Sequence, residues 1–258
     1  MSTNGSQFLL QTDKTTIRFG GLCAVNELDM SVKKGEIYGL IGPNGAGKTT
    51  IFNLLTGVYQ PTSGTIHFNG QRIDGLRPYQ IAARGVSRTF QNIRLFPSMT
   101  VLDNVMTACH IHMGQKLIDA VLRTPRFSTD EKKHREYCFE LLEIFDHARV
   151  CDEGGTSLPY GSQRRLEIVR ALATRPQLLL LDEPAACMNP SEQEDLMHLI
   201  KQIRDRFGLT ILLVEHNMKV VMGVCERIQV VDYGKCIALG LPQEIKNDPK
   251  VIEAYLGD

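Results

Sequence analysis

The stretch Gly42-Pro43-Asn44-Gly45-Ala46-Gly47-Lys48-Thr49 decides the fold of this chain. Its glycines permit left-handed backbone turns, so that successive N–H groups can converge on an anion. The residues before it, 36–41, predict an apolar strand, and residues 50–56 predict a helix that ends near Gly57. A strand, a glycine-rich loop and a helix in this order predict a phosphate-binding loop, because the N-terminus of the helix also attracts negative charge.

Every position of this loop is a candidate ligand of a nucleoside triphosphate. We expect Lys48 to reach the β- and γ-phosphates and the Thr49 hydroxyl to bind Mg²⁺. The candidate nucleotide ligands in this segment are Gly42, Pro43, Asn44, Gly45, Ala46, Gly47, Lys48, Thr49 and Thr50.

A second pattern with the same chemistry is the apolar run 178–181, which is followed by Asp182 and Glu183. The run predicts a buried strand that ends in two carboxylates. We expect Asp182 to hold Mg²⁺ through water, and Glu183, which points elsewhere, to polarise the attacking water. Taken alone, the stretch is equally consistent with a strand followed by a solvated turn. Together with the phosphate loop it predicts a nucleoside triphosphatase.

The remaining elements alternate in the manner of an α/β protein, with one interruption. Strands are predicted at 15–19, 64–69 and 210–214, a helix at 191–207, a hairpin over 227–238 and two short helices within 242–256. From about Val101 to Ala148 the pattern becomes helical, with Thr100 as a candidate N-cap and an apolar stripe within 130–147. A further helix is predicted over 162–174. We therefore expect a core domain over 1–91 and 175–258 and a helical subdomain over 92–174.

Composition restricts the class of protein. The chain has 258 residues, 43% of them hydrophobic, which suffices for one large domain or a domain with a subdomain. Its 29 basic and 29 acidic residues balance, so net charge favours neither nucleic acid nor anionic lipid. We see neither an apolar run long enough to span a bilayer nor a secretion signal. The seven cysteines form no Cys-x-x-Cys pair, which favours reduced thiols in a cytosolic protein, and His110 and His112 are interpreted as surface residues.

The segment Leu158-Pro159-Tyr160-Gly161-Ser162-Gln163-Arg164-Arg165 lies upstream of Asp182. It resembles the signature of the ATP-binding subunits of ABC transporters, and the chain is similar to that family over nearly its whole length. The resemblance implies a phosphate-loop NTPase core (ABC ATPase) with an inserted α-helical subdomain and an antiparallel β region near the N-terminus. It also implies that Tyr160, Gly161 and Ser162 contact the γ-phosphate of an ATP held by another subunit.

Three more positions match the family. Gln91 resembles the glutamine that links the core to the helical subdomain and senses Mg²⁺ and the attacking water. His216 resembles the switch histidine, which contacts the γ-phosphate near Glu183. Phe19 stands where the family places an aromatic side chain against the adenine ring, although a core phenylalanine is the alternative.

Several stretches are most similar to the LivG type of ATP-binding subunit, which serves branched-chain amino acid importers. They are 18–22 with 24–25, 88–91 with 94–96 and 99–101, 160–161 with 164–168, 185–186 with 189–190, and 254–257. This resemblance implies an ATP-hydrolysing, peripheral subunit on the cytoplasmic face of the cell membrane, with ATP and Mg²⁺ as cofactors. Its implied partners are a second, homologous ABC ATPase that dimerises with it around ATP, two membrane permeases and, indirectly, an extracytoplasmic binding protein.

The same resemblance implies that the permeases dock beside the glutamine loop, around 91–100. We expect Arg94, Leu95 and Phe96 to expose a mixed apolar and basic surface there. The alternative for Phe96 is internal packing of the helical subdomain.

The chain departs from the family pattern in two segments. Pro159 and Ser162 replace the serine and the glutamine of the signature, and Cys187 stands where glycine is usual. Asn189 replaces a common aspartate. These departures concern the site that this chain's signature completes, and they leave the site built on Lys48, Asp182 and Glu183 intact.

Three other classes of protein share parts of this pattern. Urea or amide importers and lipopolysaccharide exporters use similar ATPases, because the ATPase hardly touches the cargo. Soluble ABC ATPases of cluster assembly, DNA repair or translation are disfavoured by the single cassette and the zero net charge. A small-molecule kinase is disfavoured by the signature helix and by the position of His216. We therefore expect no nucleic-acid partner.

Overall fold

The computed structural model describes residues 7–112 and 125–256. The chain divides into two compact units, one made of Met1–Arg88 and Gln177–Asp258 and the other of Thr89–Pro176. The described strands, in chain order, are β1 (Phe8–Phe19), β2 (Leu22–Lys33), β3 (Ile37–Ile41), β4 (Ser63–Phe68), β5 (Gln71–Arg72), β6 (Val86–Arg88), β7 (Leu178–Asp182), β8 (Thr210–Val214), β9 (Arg227–Asp232) and β10 (Lys235–Gly240). The described helices are α1 (Lys48–Leu55), α2 (Pro78–Ala83), α3 (Val101–Cys109), α4 (Pro125–Ile144), α5 (Tyr160–Ala173), α6 (Pro190–Phe207), α7 (Met218–Val224), α8 (Pro242–Asn247) and α9 (Pro249–Leu256).

A six-stranded sheet forms the centre of the first unit, in the order β10-β9-β3-β8-β7-β6. Its strands are parallel except for β10, which pairs with β9 as an antiparallel edge. Every residue of β3, β7 and β8 is buried, as is typical of parallel strands that are covered on both faces. The α/β prediction and the predicted hairpin over 227–238 are confirmed.

A second, antiparallel sheet in the same unit has the order β2-β1-β4-β5. Asn69 and Gly70, both at positive φ, form the turn between β4 and β5, as expected for an Asn-Gly hairpin. The sheet confirms the antiparallel region near the N-terminus, but β1 is longer than the predicted 15–19 and β2 was not predicted. Buried residues alternate only in the second half of β2, because Glu27 has φ 50° and interrupts the pleat.

Capping chemistry sets the helix ends in the first unit. The side chains of Asn189 and Glu192 each accept the other's backbone N–H, at 3.0 and 2.9 Å, and start α6. Gly208 ends it at φ 61°. Helix α1 begins at Lys48, two residues earlier than predicted, so Lys48 and Thr49 lie in its first turn.

The second unit is helical, and α3, α4 and α5 pack on one another. The Thr100 hydroxyl accepts the backbone N–H of Asp103 at 3.1 Å, which confirms the predicted N-cap of α3. Cys109 on α3 and Cys138 on α4 are both buried, with their Sγ atoms 3.2 Å apart. Because the two cysteines lie far apart in the sequence, no local pattern predicted this contact. Among the helices of 7–112 and 125–256, none has the length and apolarity to cross a bilayer.

Candidate active site

The phosphate loop connects β3 to α1, as predicted. A Cβ at Gly42 would lie 2.0 Å from the carbonyl oxygen of Val231, so any larger residue would displace the neighbouring strand. Gly47 has φ 101°, in the left-handed region, and a Cβ there would meet the Ala24 carbonyl oxygen at 2.6 Å. The tight backbone path of the loop therefore requires glycine at both positions.

Lys48 is held over this loop by its own backbone. Its Nζ donates to the carbonyl oxygens of Gly42 and Pro43, at 2.6 and 2.8 Å, and the residue is 8% exposed. Burial lowers the pKa of Lys48, and the negative charges of Glu183 and Asp182 oppose that shift. The ammonium thus lies within electrostatic range of both carboxylates, which come from a distant part of the sequence.

Asp182 ends β7 beside Val214 of β8 and is buried. Arg88, the last residue of β6, donates from Nη2 to Asp182 Oδ2 at 2.7 Å and from Nη1 to Asn53 Oδ1 at 2.7 Å. Arg88 belongs to a stretch that resembles the LivG type, but the resemblance implied no role for it. The sequence signal that could have indicated this contact is a basic residue at the carboxyl end of a parallel strand. The carboxyl ends of the parallel strands of one sheet meet at the same edge.

Glu183 and His216 are brought together by the neighbouring ends of β7 and β8. Glu183 has the left-handed value φ 47°, and its N–H donates to the Val214 carbonyl oxygen at 2.8 Å. Its Oε2 lies 3.6 Å from Nδ1 of His216, whose side chain is 59% exposed. Glu183 and His216, which were predicted from separate segments of the sequence, therefore lie at the same edge of the parallel sheet as the phosphate loop.

Glu215, for which the sequence predicted no role, is 1% exposed beside this pair. Its Oε1 accepts the N–H of Ala185 at 2.7 Å, and its Oε2 accepts those of His216 and Asn217 at 3.1 and 3.3 Å. Burial raises the pKa of Glu215, and these N–H groups oppose the shift. In the sequence it is the first of three polar residues after an apolar strand, which is a weak signal.

Phe19, at the end of β1, is 44% exposed. Its ring meets that of Tyr59 edge to face, with centroids 5.2 Å apart. The alternative that Phe19 is a core residue is therefore wrong, and part of its ring is exposed.

The signature segment lies in the second unit, where Tyr160, Gly161 and Ser162 form the first turn of α5 rather than preceding it. Tyr160 is exposed. The imidazole of His147, which is buried, has Nε2 3.0 Å from the Ser162 carbonyl oxygen and Nδ1 2.5 Å from that of Phe145. His147 therefore supports the backbone of the signature turn, a role that its position in the sequence did not indicate.

Gln91 also lies in the second unit, and α5 holds its backbone. The fully buried guanidinium of Arg164 donates to the carbonyl oxygens of Phe90 and Gln91, at 2.5 and 2.7 Å. It also pairs with Glu167 at 2.9 Å, and Glu167 accepts the N–H of Phe90 at 3.3 Å. This ion pair ties the glutamine segment to the helix that carries the signature.

The predicted exposure of residues 94–96 is only partly confirmed, and their role in docking stays a prediction. Phe96 is 45% exposed, so the alternative of internal packing is wrong, and Arg94 is exposed. Leu95 is only 8% exposed, which corrects its predicted exposure. The reason is local: the Asn104 side chain bonds to both backbone groups of Phe96 and turns the segment so that Leu95 faces inward.

Comparison with known proteins identifies the family. The ABC transporter family model matches residues 25–186, and the model of the branched-chain amino acid ATP-binding cassette transporter matches residues 235–258. The branched-chain amino acid transport ATP-binding proteins BraF of Pseudomonas aeruginosa and LivG of Escherichia coli K12 are 45% and 47% identical, over 98% of this chain and 99% of theirs. The lipopolysaccharide export ATP-binding protein LptB of Haemophilus influenzae is 37% identical over 91% of each chain.

A solved structure agrees with these relatives. The crystal structure of the ADP conformation of an ATP-binding cassette of an ABC transporter superposes with a TM-score of 0.85, at 29% identity, over 98% of this chain and 100% of that one. Sequence and structure therefore lead to one conclusion: the chain belongs to the family of ABC transporter ATP-binding proteins.

Proposed function

We propose that this chain is the ATP-hydrolysing subunit of an ABC importer for branched-chain amino acids. The observation that carries the proposal is the assembly of the phosphate loop, Glu183 and His216 at one sheet edge. It occurs in a chain that is 45–47% identical over 98% of its length to branched-chain amino acid transport ATP-binding proteins. The family match at residues 235–258 supports the same cargo class.

Nucleotide binding follows from the loop and the residues around it. The N–H groups of the loop and the N-terminus of α1 bind the phosphates, and Lys48 neutralises the charge on the β- and γ-phosphates. Phe19, whose ring is partly exposed, stacks on the adenine. These contacts position the γ-phosphate at the carboxyl ends of β3, β7 and β8.

The residues at this edge fit a magnesium ion. Carboxylate and hydroxyl oxygens are the ligands that Mg²⁺ prefers, and Asp182 and Thr49 supply them from the end of β7 and the first turn of α1. When bound, the ion would neutralise charge on the phosphate oxygens. The role of Gln91 toward Mg²⁺ and the attacking water stays a prediction.

Hydrolysis needs a base for the attacking water, and Glu183 is that base. Its carboxylate takes a proton from the water as the oxygen attacks the γ-phosphorus, and the bond to the β-phosphate oxygen breaks. His216, whose Nδ1 lies 3.6 Å from Glu183 Oε2, orients the carboxylate and contacts the γ-phosphate. The two residues act together because Glu183 directly follows β7 and His216 stands two residues after the adjacent strand β8.

The assembly that we propose has two ATPases and two permeases on the cytoplasmic face of the membrane. Tyr160, Gly161 and Ser162 would complete the ATP site of a second, homologous ATPase, whose signature completes the site of this chain. An extracytoplasmic binding protein would deliver the amino acid. The permeases would dock on the segment 91–100, where Arg94 and Phe96 are exposed.

The test is a complex reconstituted in proteoliposomes with both permeases and the second ATPase. Glu183→Gln is expected to remove this site's share of ATP turnover and to lower ATP-driven uptake of leucine, isoleucine and valine. Because the partner contributes a second site, a partial loss of turnover is expected. Glu140→Gln, an exposed glutamate on α4, serves as the matched control and should leave both rates unchanged.

Wild-type turnover in the Glu183→Gln complex would refute the catalytic assignment. Uptake of urea or a short amide in place of the branched-chain amino acids would refute the cargo assignment alone.

A further inference from the structure

We propose that Glu215 is a positioning residue of the hydrolysis site, whose carboxylate holds the Glu183 and His216 loops at a fixed separation. The inference rests on the proposed function, since it concerns how the catalytic pair of that function is kept in register. Glu215 accepts the backbone N–H groups of Ala185, His216 and Asn217. It acts through backbone groups of the two loops.

The two loops begin at the ends of neighbouring strands, so they start close together. Asp182 and Val214 are paired in the parallel ladder of β7 and β8, so the two chains pass through the site side by side. Glu215 directly follows Val214 and reaches across to the other loop. Its Oε1 accepts the N–H of Ala185, two residues after Glu183, at 2.7 Å.

The other carboxylate oxygen holds its own loop. Oε2 accepts the N–H groups of His216 and Asn217, at 3.1 and 3.3 Å. Three N–H donors therefore converge on one carboxylate that is 1% exposed. An ionised carboxylate suits this site because both oxygens only accept, whereas an amide would turn an NH₂ group toward donors on one side.

A second bridge connects the same two loops further from the strands. Asn217 Nδ2 donates to Gln193 Oε1, and Gln193 Nε2 donates to the Met188 carbonyl oxygen, each at 3.0 Å. The Asn217 oxygen also accepts the N–H of Lys219 at 3.0 Å at the start of α7. The loop after Glu183 is thus fixed at both Ala185 and Met188 to the loop that carries His216.

This arrangement matters because the catalytic pair is not itself in tight contact. The 3.6 Å between Glu183 Oε2 and His216 Nδ1 exceeds hydrogen-bond distance, so the backbones of the two loops determine it. A loop shift of about an ångström is enough to cost up to about 100-fold in rate. Nucleotide affinity should be spared, since the phosphate loop is braced separately by Lys48.

The experiment measures ATP turnover of the Glu215→Gln variant in the reconstituted complex. The turnover lost in the Glu183→Gln complex defines this site's share of the total. Glu215→Gln is expected to lower that share about 10-fold, within the range that misplacement of a catalytic group causes. The Kd of a fluorescent ATP analogue should stay within about 2-fold of wild type, which separates positioning from misfolding. Glu194→Gln, an exposed neighbour on α6, should retain the wild-type rate.

A Glu215→Gln complex that keeps the full share overturns the inference, and so does one in which the rate and the nucleotide affinity fall together. If that variant does not fold, Gln193→Ala breaks the second bridge and should lower the share by about 3-fold at unchanged Kd. An unchanged share of ATP turnover in the Gln193→Ala complex also overturns the inference. An unchanged turnover in Glu183→Gln would instead refute the proposed function, and the inference with it.

Discussion

Replacement of Arg164 by methionine tests how the second unit holds the glutamine segment. Arg164 and Glu167 form a buried ion pair, and the guanidinium also donates to the carbonyl oxygens of Phe90 and Gln91. Methionine fills a similar volume but leaves the Glu167 carboxylate, 1% exposed, without this cation. We expect the glutamine segment to detach and the unit to lose stability.

The magnitude follows from the contacts. Removing one partner of a buried ion pair costs about 3–5 kcal/mol, because a buried charge loses its compensation. The two lost hydrogen bonds to Phe90 and Gln91 contribute about 1 kcal/mol each. We expect Arg164→Met to lower the free energy of unfolding by about 5–7 kcal/mol, and the double variant with Glu167→Leu to lose only about 3 kcal/mol.

The assay is urea unfolding of the subunit followed by far-UV circular dichroism, since the chain contains no tryptophan. Hydrogen exchange gives a local measure, because the Phe90 N–H bonded to Glu167 should lose protection in both variants. Lys132→Met, which breaks an exposed pair with Glu136, should change stability by less than about 0.5 kcal/mol. A double variant that is less stable than Arg164→Met would refute the reasoning.

Three further predictions concern the first unit. Gly47→Ala should weaken ATP binding at least about 10-fold in a fluorescent-analogue titration, because the left-handed backbone and the Ala24 carbonyl oxygen exclude a Cβ; wild-type affinity would contradict this. Phe19→Ala should raise the ATP Kd about 10-fold by the loss of stacking, whereas Phe19→Tyr should preserve it; equal affinities in both variants would argue against an adenine contact. Arg88→Met should lower the free energy of unfolding in urea by about 3–5 kcal/mol, because it strips the cation from buried Asp182; an unchanged urea midpoint would show that the pair is dispensable.

Most of the fold could be predicted from patterns among neighbouring residues. The phosphate loop lies between its predicted strand and helix, and the Thr100 cap and the buried run 178–181 were read from neighbouring residues alone. Strand β2 escaped prediction because the positive φ of Glu27 breaks the alternation on which strand recognition depends.

The supports of the site could not be predicted in the same way. Arg88 and Asp182 are 94 residues apart in the sequence, and Arg164 and Phe90 are 74 apart. Such contacts exist only after the strands have been ordered and the helices packed, so no local spacing reveals them. The pattern at 178–183 supplied Glu183, and the resemblance supplied His216 and Gln91. The roles of these three residues stay predictions, and neither source assigned anything to Glu215 or His147.

The left-handed backbone of Glu183 has a consequence for evolution in the laboratory. A residue with a Cβ at φ 47° costs on the order of 1 kcal/mol of folding free energy relative to glycine. Cys187, at φ 62°, adds a similar cost in the same loop. Selection for heat resistance alone should therefore enrich glycine or asparagine at both positions. Only the change at 183 should remove this site's share of hydrolysis, so thermostability and catalysis favour different residues at that position.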